Sequence, residues 1–341
     1  MTMAVTGSPS LVGERVAFEP PAAALSASSG GTIAYRVGSE AGAREYVWFD
    51  QAGKELGKLA TPPGDIRAAP SFAPQGRALT LHTVSDNADI WLVDVERGTF
   101  KRFTANLADD ILPLWSPDGA SIAFSSTRDA SLDLYLKPAS GTGNEQLLLA
   151  TPQGKALSDW SSDGRFLLYS GGNPETGFDI WILPLGTDRK AFPVVQTKFN
   201  ERLGQFSPDG KWIAYESNES GRYEIYLQPF SDNGKTGAAV PVSSGGGAQV
   251  RWRPDGRALF YIGLDNRLMM VPIRSSDEQR LELGPPGALF TTRVVSGAVQ
   301  PFPRYQYTVS HDGQRFLMNT VTDDATAPIT LILNWSRPAG K

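Results

Sequence analysis

Apolar residues along this chain come in short runs separated by turn-forming residues, and the runs repeat in a fixed order. No useful length carries the 3.6-residue apolar stripe of an amphipathic helix, so strands dominate and helix is at most a minor component. The clearest phrase is an aromatic residue followed by Ser, Pro, Asp and Gly, then two residues, an apolar pair and an aromatic. Trp115-Ser116-Pro117-Asp118-Gly119 leads in this way to Ile122-Ala123-Phe124, and Phe206-Ser207-Pro208-Asp209-Gly210 to Ile213-Ala214-Tyr215. Pro fixes φ at the second position of such a turn, Asp bonds locally to backbone, and Gly takes the positive φ that closes a hairpin. The phrase therefore joins two strands. A second phrase follows, an acidic residue and then β-branched or aromatic ones: Asp89-Ile90-Trp91-Leu92, Asp133-Leu134-Tyr135-Leu136, Asp179-Ile180-Trp181-Ile182 and Glu224-Ile225-Tyr226-Leu227. It predicts a third strand, and a shorter apolar run after it predicts a fourth.

Degraded copies of the turn phrase stand at residues 72–81, 160–169, 252–261, 309–318 and, most weakly, 27–35. With Gly31, Gly76, Gly119, Gly164, Gly210, Gly256 and Gly313 as anchors, the intervals are 45, 43, 45, 46, 46 and 57 residues. Such a period fits one four-stranded blade. The expectation is an all-β, seven-bladed β-propeller of four-stranded antiparallel blades, one domain over residues 1–341, with six or eight blades as the alternatives. The predicted blades cover residues 25–62, 66–106, 111–151, 156–197, 202–244, 248–293 and 304–335. The last supplies only three strands, so residues 8–18 are expected to complete it as an outer strand and close the ring. The long final interval reads as an outer strand plus a loop.

Together the two phrases resemble the TolB-type, WD40-like (PD40) propeller repeats of bacteria over nearly the whole chain. More narrowly, Val47-Trp48-Phe49-Asp50, Phe199-Asn200-Glu201 and the ending Pro328-Ile329-Thr330-Leu331-Ile332-Leu333-Asn334-Trp335 resemble the C-terminal sensory propeller of membrane-tethered bacterial Ser/Thr protein kinases. That likeness implies a sensor role, and an extracytoplasmic or periplasmic site if the chain derives from such a parent. It implies no kinase activity, since the Gly-rich loop, His-Arg-Asp and Asp-Phe-Gly of a kinase are absent from this sequence.

Composition narrows the partners. An apolar fraction of 40% is ample for a packed core and excludes wholesale disorder. The net charge of −4 arises from 36 acidic and 32 basic residues with no basic block, which argues against nucleic acid. No cysteine is present, so disulfides and thiolate metal sites are excluded. The opening residues lack the basic and apolar regions of a signal peptide, and no apolar stretch approaches the ~18 residues of a membrane span. The chain therefore reads as soluble, monomeric and not inserted in a membrane, in a compartment the sequence does not specify.

The residue chemistry offers little for catalysis. Of the two histidines, His311 replaces Pro in its turn and His82 continues a second strand, so both read as structural. There is no Gly-x-Ser-x-Gly elbow and no clustered set of metal ligands, so no cofactor, metal or catalytic residue is assigned. The recurrent acids Asp89, Asp133, Asp179 and Glu224 hold one repeat position and are read as structural bonds between blades.

What remains are charged and polar residues that the repeat does not require, near the start of each unit: Arg67, Asp159, Asn200, Glu201, Arg202, Arg251 and Arg304, with Asp109 and Asp110 beside them. They are the candidate ligand contacts, expected at the channel mouth opposite the Pro-Asp-Gly turns. Converging charge there would attract an anionic or zwitterionic small molecule or a protein partner. The first functional expectation is a non-enzymatic binding or protein-interaction module. The alternative is a propeller enzyme, such as a lactonase, a polysaccharide lyase or another hydrolase, working at the same mouth.

Overall fold

In a computed structural model the described residues are 18–19, 22–23, 25–27, 33–36 and 44–332, without 85, 130, 188, 232–235, 278–279, 295–296 and 322–328. They form two compact units, residues 45–320 and residues 1–44 with 321–341. The larger is a six-bladed β-propeller of antiparallel sheets, so the expectation of seven blades is corrected to six.

The first blade comprises Asp65–Phe72, Ala78–Val84, Ala88–Asp94 and Thr99–Arg102. The second runs from Asp110–Trp115 through Ser121–Ser126 and Asp133–Pro138 to Gln146–Leu149. The third has Lys155–Trp160, Phe166–Asn173, Gly177–Pro184 and Phe192–Val195. The fourth has Glu201–Phe206, Trp212–Ser217, Glu224–Pro229 and Val240–Pro241. In the fifth, Ala248–Trp252 and Ala258–Ile262 precede a long third strand, Arg267–Asp277, which pairs with Arg280–Leu283 along one half and Gly287–Thr291 along the other. This extra hairpin absorbs much of the long final interval.

The sixth blade explains the miscount. Its inner strands, Tyr307–Val309 and Arg315–Val321, come from the last repeat, and its outer strands, Arg44–Asp50 and Glu55–Lys58, come from the start of the chain. Two strands from each end thus close the ring, where one N-terminal strand at residues 8–18 had been expected. Thr320 Oγ1 donates to the Glu45 carbonyl (3.2 Å), and Gln51 Nε2 donates to the Gly313 carbonyl (3.3 Å). Tyr46 and Leu317 are fully buried with Leu79, Leu81 and Val93 of the first blade, so the seam is packed as tightly as the other joints. Residues 8–17 lie outside the described residues.

The smaller unit contains Leu25–Ala27 paired with Ile33–Arg36, and Ile33–Arg36 paired with Ile329–Ile332. The described residues on either side of the predicted first turn phrase and those of the predicted last strand of the seventh unit therefore share one three-stranded sheet. A two-residue ladder, Phe18–Glu19 with Ala22–Ala23, stands beside them in sequence.

The turn chemistry holds at the six true anchors. Gly76, Gly119, Gly164, Gly210, Gly256 and Gly313 have φ between 68 and 77°. In the fourth blade Ser207 Oγ donates to Asp209 Oδ1 (2.6 Å) and accepts from the Trp212 N–H (2.9 Å), which explains the Ser and Asp of the phrase. The consensus aromatics pack between blades as expected: Phe206 joins Phe166, Leu168 and Ile213, and Phe72 stacks on Trp48 at 5.7 Å.

Candidate functional site

The inner strands carry a second repeat signal that the turn phrase hides. Ala69, Leu112, Leu203 and Gln249 have φ of 62, 54, 52 and 57°, a left-handed conformation that side chains disfavour, and each stands seven residues before its turn glycine. A bulge there turns the backbone N–H toward the preceding blade. Leu203 N–H donates to Ser170 Oγ (3.1 Å) and Gln249 N–H to Glu216 Oε2 (2.7 Å), while Leu157, at the same position with ordinary φ, donates to Ser125 Oγ (3.2 Å). Ser125, Ser170 and Glu216 each stand six residues after their turn glycine. His82 and Asn319 occupy that position in the first and sixth blades, both buried, which gives His82 a place in the scaffold.

Polar side chains fill the ring's interior toward the face where the inner strands begin. Arg202 Nε donates to Glu216 Oε1 (2.5 Å), its Nη1 donates to the Gln300 carbonyl (2.8 Å), and its guanidinium lies 4.2 Å from the Tyr223 ring centre. Gln249 Nε2 donates to the Ala298 carbonyl (2.6 Å) and its Oε1 accepts from the Gln306 N–H (2.6 Å). Gln306 in turn donates to Gln300 Oε1 (3.0 Å) and accepts from Asn319 Nδ2 (2.9 Å). The segment joining the fifth and sixth blades supplies Gln300, and its Phe302 packs against the cluster of Ala69, Leu112 and Leu157 from the first three blades. Burial pushes the Glu216 carboxyl up, opposed by Arg202 and the Gln249 N–H.

At the opposite end a cavity of about 220 Å³ opens beside the turns. Asp159, Gln205, Arg251 and Thr308 line it together with Pro208 and Pro254. Asp159 Oδ2 accepts from the Phe206 N–H (2.7 Å), and Gln205 Oε1 accepts from the Trp252 N–H (2.7 Å); both residues precede the consensus aromatic and tie their blade to the next. Burial pushes the Asp159 carboxyl up to about 7, against the Phe206 and Trp160 N–H groups and the charge of Arg251. The Arg251 guanidinium lies 3.5 Å from the Tyr305 ring centre, and its one hydrogen bond among the described residues is a long one, Nε to the Tyr307 carbonyl at 3.4 Å. A 7% exposed arginine thus lines a concave space with its terminal nitrogens uncommitted.

Of the seven residues predicted from sequence, Asp159 and Arg251 share this cavity, on the turn side and not the face expected for them. The others lie elsewhere. Asn200 Oδ1 accepts from the Phe178 N–H (3.2 Å), as Asp109 Oδ1 accepts from the Ala88 N–H (2.8 Å) at the matching position. Glu201 is buried and accepts from Thr197 Oγ1 (2.6 Å) and Ser217 Oγ (3.2 Å), and burial raises its carboxyl. Arg202 belongs to the interior network. Arg304 is half-buried just before the sixth blade's inner strand, and the Arg67 side chain lies outside the described residues. Asp110 is buried and pairs with Arg128 at 2.8 Å. Sequence reasoning missed Gln205, Glu216 and Gln249; the spacing to the turn glycine was the signal that could have found them.

The repeated third-strand acids work mostly within their own blade or the link that follows it. Asp89 pairs with Arg102, and Glu224 takes Ser243 Oγ and the Gly246 N–H (2.9 Å); among the described residues only Asp133 of these acids reaches an inner strand of the next blade, at Lys155 Nζ (2.6 Å). Among the described residues no three His, Cys, Asp or Glu side chains cluster as a metal site would need, and no helix is long and apolar enough to cross a membrane.

Comparison with known proteins agrees with the repeat. A family model described as the TolB beta propeller domain (PD40) matches residues 26–202. A structure of a candidate TolB from Agrobacterium tumefaciens superposes with a TM-score of 0.63 at 18% identity, over 82% of this chain and 98% of that one. TolB from Acinetobacter baumannii gives 0.53 at 17% identity, over 87% and 78%. In sequence, Tricorn protease homolog 1 of Streptomyces coelicolor is 31% identical over 107 residues, 30% of this chain and 10% of that protein. The chain spans well under half the length of the curated relatives it matches. None of these matches supports the narrower likeness to kinase-linked propellers.

Proposed function

We propose that this chain, which belongs to the TolB beta propeller (PD40) family, is a binding module whose ligand or protein partner presents an anionic group to Arg251 in the turn-side cavity. One observation carries this reading: Arg251 is almost wholly buried, stacked on Tyr305, and lines a cavity with two terminal nitrogens to spare. An immobilised guanidinium offers a planar pair of donors matched to a carboxylate or phosphate, and little rotamer freedom is left to lose on binding. Asp159 across the same cavity would take the ammonium, amide or hydroxyl of a zwitterionic ligand. At about 220 Å³ the space suits a chain terminus, a side chain or a small metabolite rather than a large cofactor.

Asn200, Glu201 and Arg202 serve this site indirectly, by fixing the loops and interior network that hold the inner strands. The experiment is a thermal-shift screen of the purified chain against carboxylate- and phosphate-bearing metabolites and acidic peptides, repeated on Arg251→Ala. The reading expects anionic compounds among the stabilisers and loss of their effect in the variant. Stabilisers that are all neutral, or that act equally on Arg251→Ala, would overturn it.

A further inference from the structure

The third blade leaves open a space that the second blade fills. Three consecutive blades stack an aromatic pair across their second and third strands: Phe124 with Tyr135 at 6.0 Å, Tyr169 with Trp181 at 6.4 Å, and Tyr215 with Tyr226 at 5.8 Å, all within 25° of parallel. In the second blade the pair is covered by Arg128, whose guanidinium lies 4.4 Å from the Tyr135 ring centre and is held by Asp110 (2.8 Å) and Glu145 (2.5 Å). A protein cation between two carboxylates caps the aromatics there.

In the third blade both of these carboxylates are missing. Asp110 stands nine residues before its turn glycine, and the residue nine before Gly164 is Lys155. Glu145 immediately precedes the outermost strand of its blade, and the matching residue is Ala191, preceded by Arg189 and Lys190. In place of a capping side chain is a cleft of about 550 Å³, with Tyr169, Trp181 and Leu149 on its walls and Arg189 and Lys190 among its lining. Gly171 makes room for the indole: a Cβ there would sit 2.8 Å from Trp181 Cδ1.

Among the described residues, the charged side chains of the cleft that lack a partner are cationic. Lys155 is neutralised by Asp133 at 2.6 Å, and Asp179 is occupied by Asn173 (2.9 Å), Thr176 (3.1 Å) and Gln196 (2.9 Å). The Tyr169 hydroxyl and the Trp181 indole N–H have no hydrogen bond among the described residues, and Arg189 and Lys190 are exposed. Apolar walls, two unused donors and two uncommitted cations remain. We propose that this cleft is a second binding site, for a small planar anion: an aromatic ring against Trp181 and Tyr169 whose carboxylate reaches Arg189 and Lys190. Its volume lies within the roughly 300–1,000 Å³ of small-molecule pockets.

Three probes with one ring system and different charge separate the alternatives: indole-3-acetate, tryptamine and 3-methylindole, each titrated calorimetrically into the full chain. Indole-3-acetate is expected to bind at least about tenfold more tightly than 3-methylindole, and tryptamine more weakly than either. Changing the exposed pair together, Arg189→Ala with Lys190→Ala, should erase the advantage of the carboxylate and leave the melting temperature unchanged. Trp181→Ala should weaken all three probes, and Arg251→Ala should leave the titrations as they are, separating this cleft from the turn-side cavity. Tryptamine binding as tightly as indole-3-acetate would make the cleft a cation site and overturn the proposal. Indifference of indole-3-acetate to the double change, or no heat from any probe at millimolar concentration, would overturn it as well.

Discussion

Arg202 and Glu216 are opposite each other on the first two strands of the fourth blade, and their side chains meet at 2.5 Å in the interior of the ring. Glu216 is 0% exposed and its second oxygen holds the Gln249 N–H of the next blade. The ion pair is thus coupled to the left-handed bulge at Gln249 and, through Arg202 Nη1, to the Gln300 carbonyl.

Removing one partner of such a pair leaves a buried charge without compensation. Arg202→Ala is expected to lower the unfolding free energy by about 3–5 kcal/mol, whereas the double change Arg202→Met with Glu216→Gln should recover much of the loss. Urea unfolding of the three proteins checks this. A single variant as stable as the parent would show that the network is not structural.

Asp159 gives a pH dependence of unusual sign. Its folded-state pKa, raised by burial to about 7, lies above the ordinary aspartate value, so between pH ~4 and ~7 the folded chain holds a proton that the unfolded chain has lost. This residue's contribution therefore falls as pH rises through that window, opposite to a salt-bridged carboxylate. Asp159→Asn should be more stable than the parent at pH 8 and nearly equal to it at pH 4, by thermal melts at matched ionic strength. Anion binding beside Arg251 should likewise weaken as Asp159 ionises, and the variant should lose that dependence.

The blade was legible in the sequence because a tight hairpin has few chemical solutions. Ser207, Asp209 and Gly210 each answer a specific backbone need, so the phrase stays recognisable in every blade and its glycine is kept in all six. The count was not legible, because closure is a pairing between distant segments. Nothing local in Arg44–Asp50 says that it joins Arg315–Val321 rather than a hairpin of its own, and the weak phrase near Gly31 supplied a false anchor. Asp159 and Arg251 were visible as charges that the turn does not need, but their side of the ring was not. They fall at the end of their strands, next to the turn, whereas Glu201 and Arg202 fall at the start.

Gly210 isolates the cost of the turn conformation. Its φ is +71°, and a Cβ added there would meet nothing within 4 Å, so a substitution is penalised by backbone geometry and not by a clash. Gly210→Ala should cost about 1–2 kcal/mol in urea unfolding. Gly313→Ala has similar φ but would place Cβ 2.9 Å from Arg253 Cγ, and should cost more. Equal losses would mean that the Arg253 side chain yields freely.

The ring closure makes the sharpest demand on the fold. Arg44–Asp50 supplies the third strand of the sixth blade and Glu55–Lys58 the fourth, while Tyr46 is fully buried against Leu79 and Leu81 of the first blade. A chain beginning at Arg44 retains all six blades, so it should unfold cooperatively. A chain beginning at Leu59 loses both outer strands of the sixth blade. Its strand Arg315–Val321 would then present an unpaired edge, and the apolar surface under Tyr46 and Trp48 would be exposed at the joint with the first blade. That protein should aggregate or melt without a sharp transition. Adding a synthetic peptide spanning residues 44–58 should restore a cooperative melt by donating the missing strands. Calorimetry of both truncations with and without the peptide decides the matter: a sharp, unchanged transition for the chain beginning at Leu59 would show that the ring closes some other way.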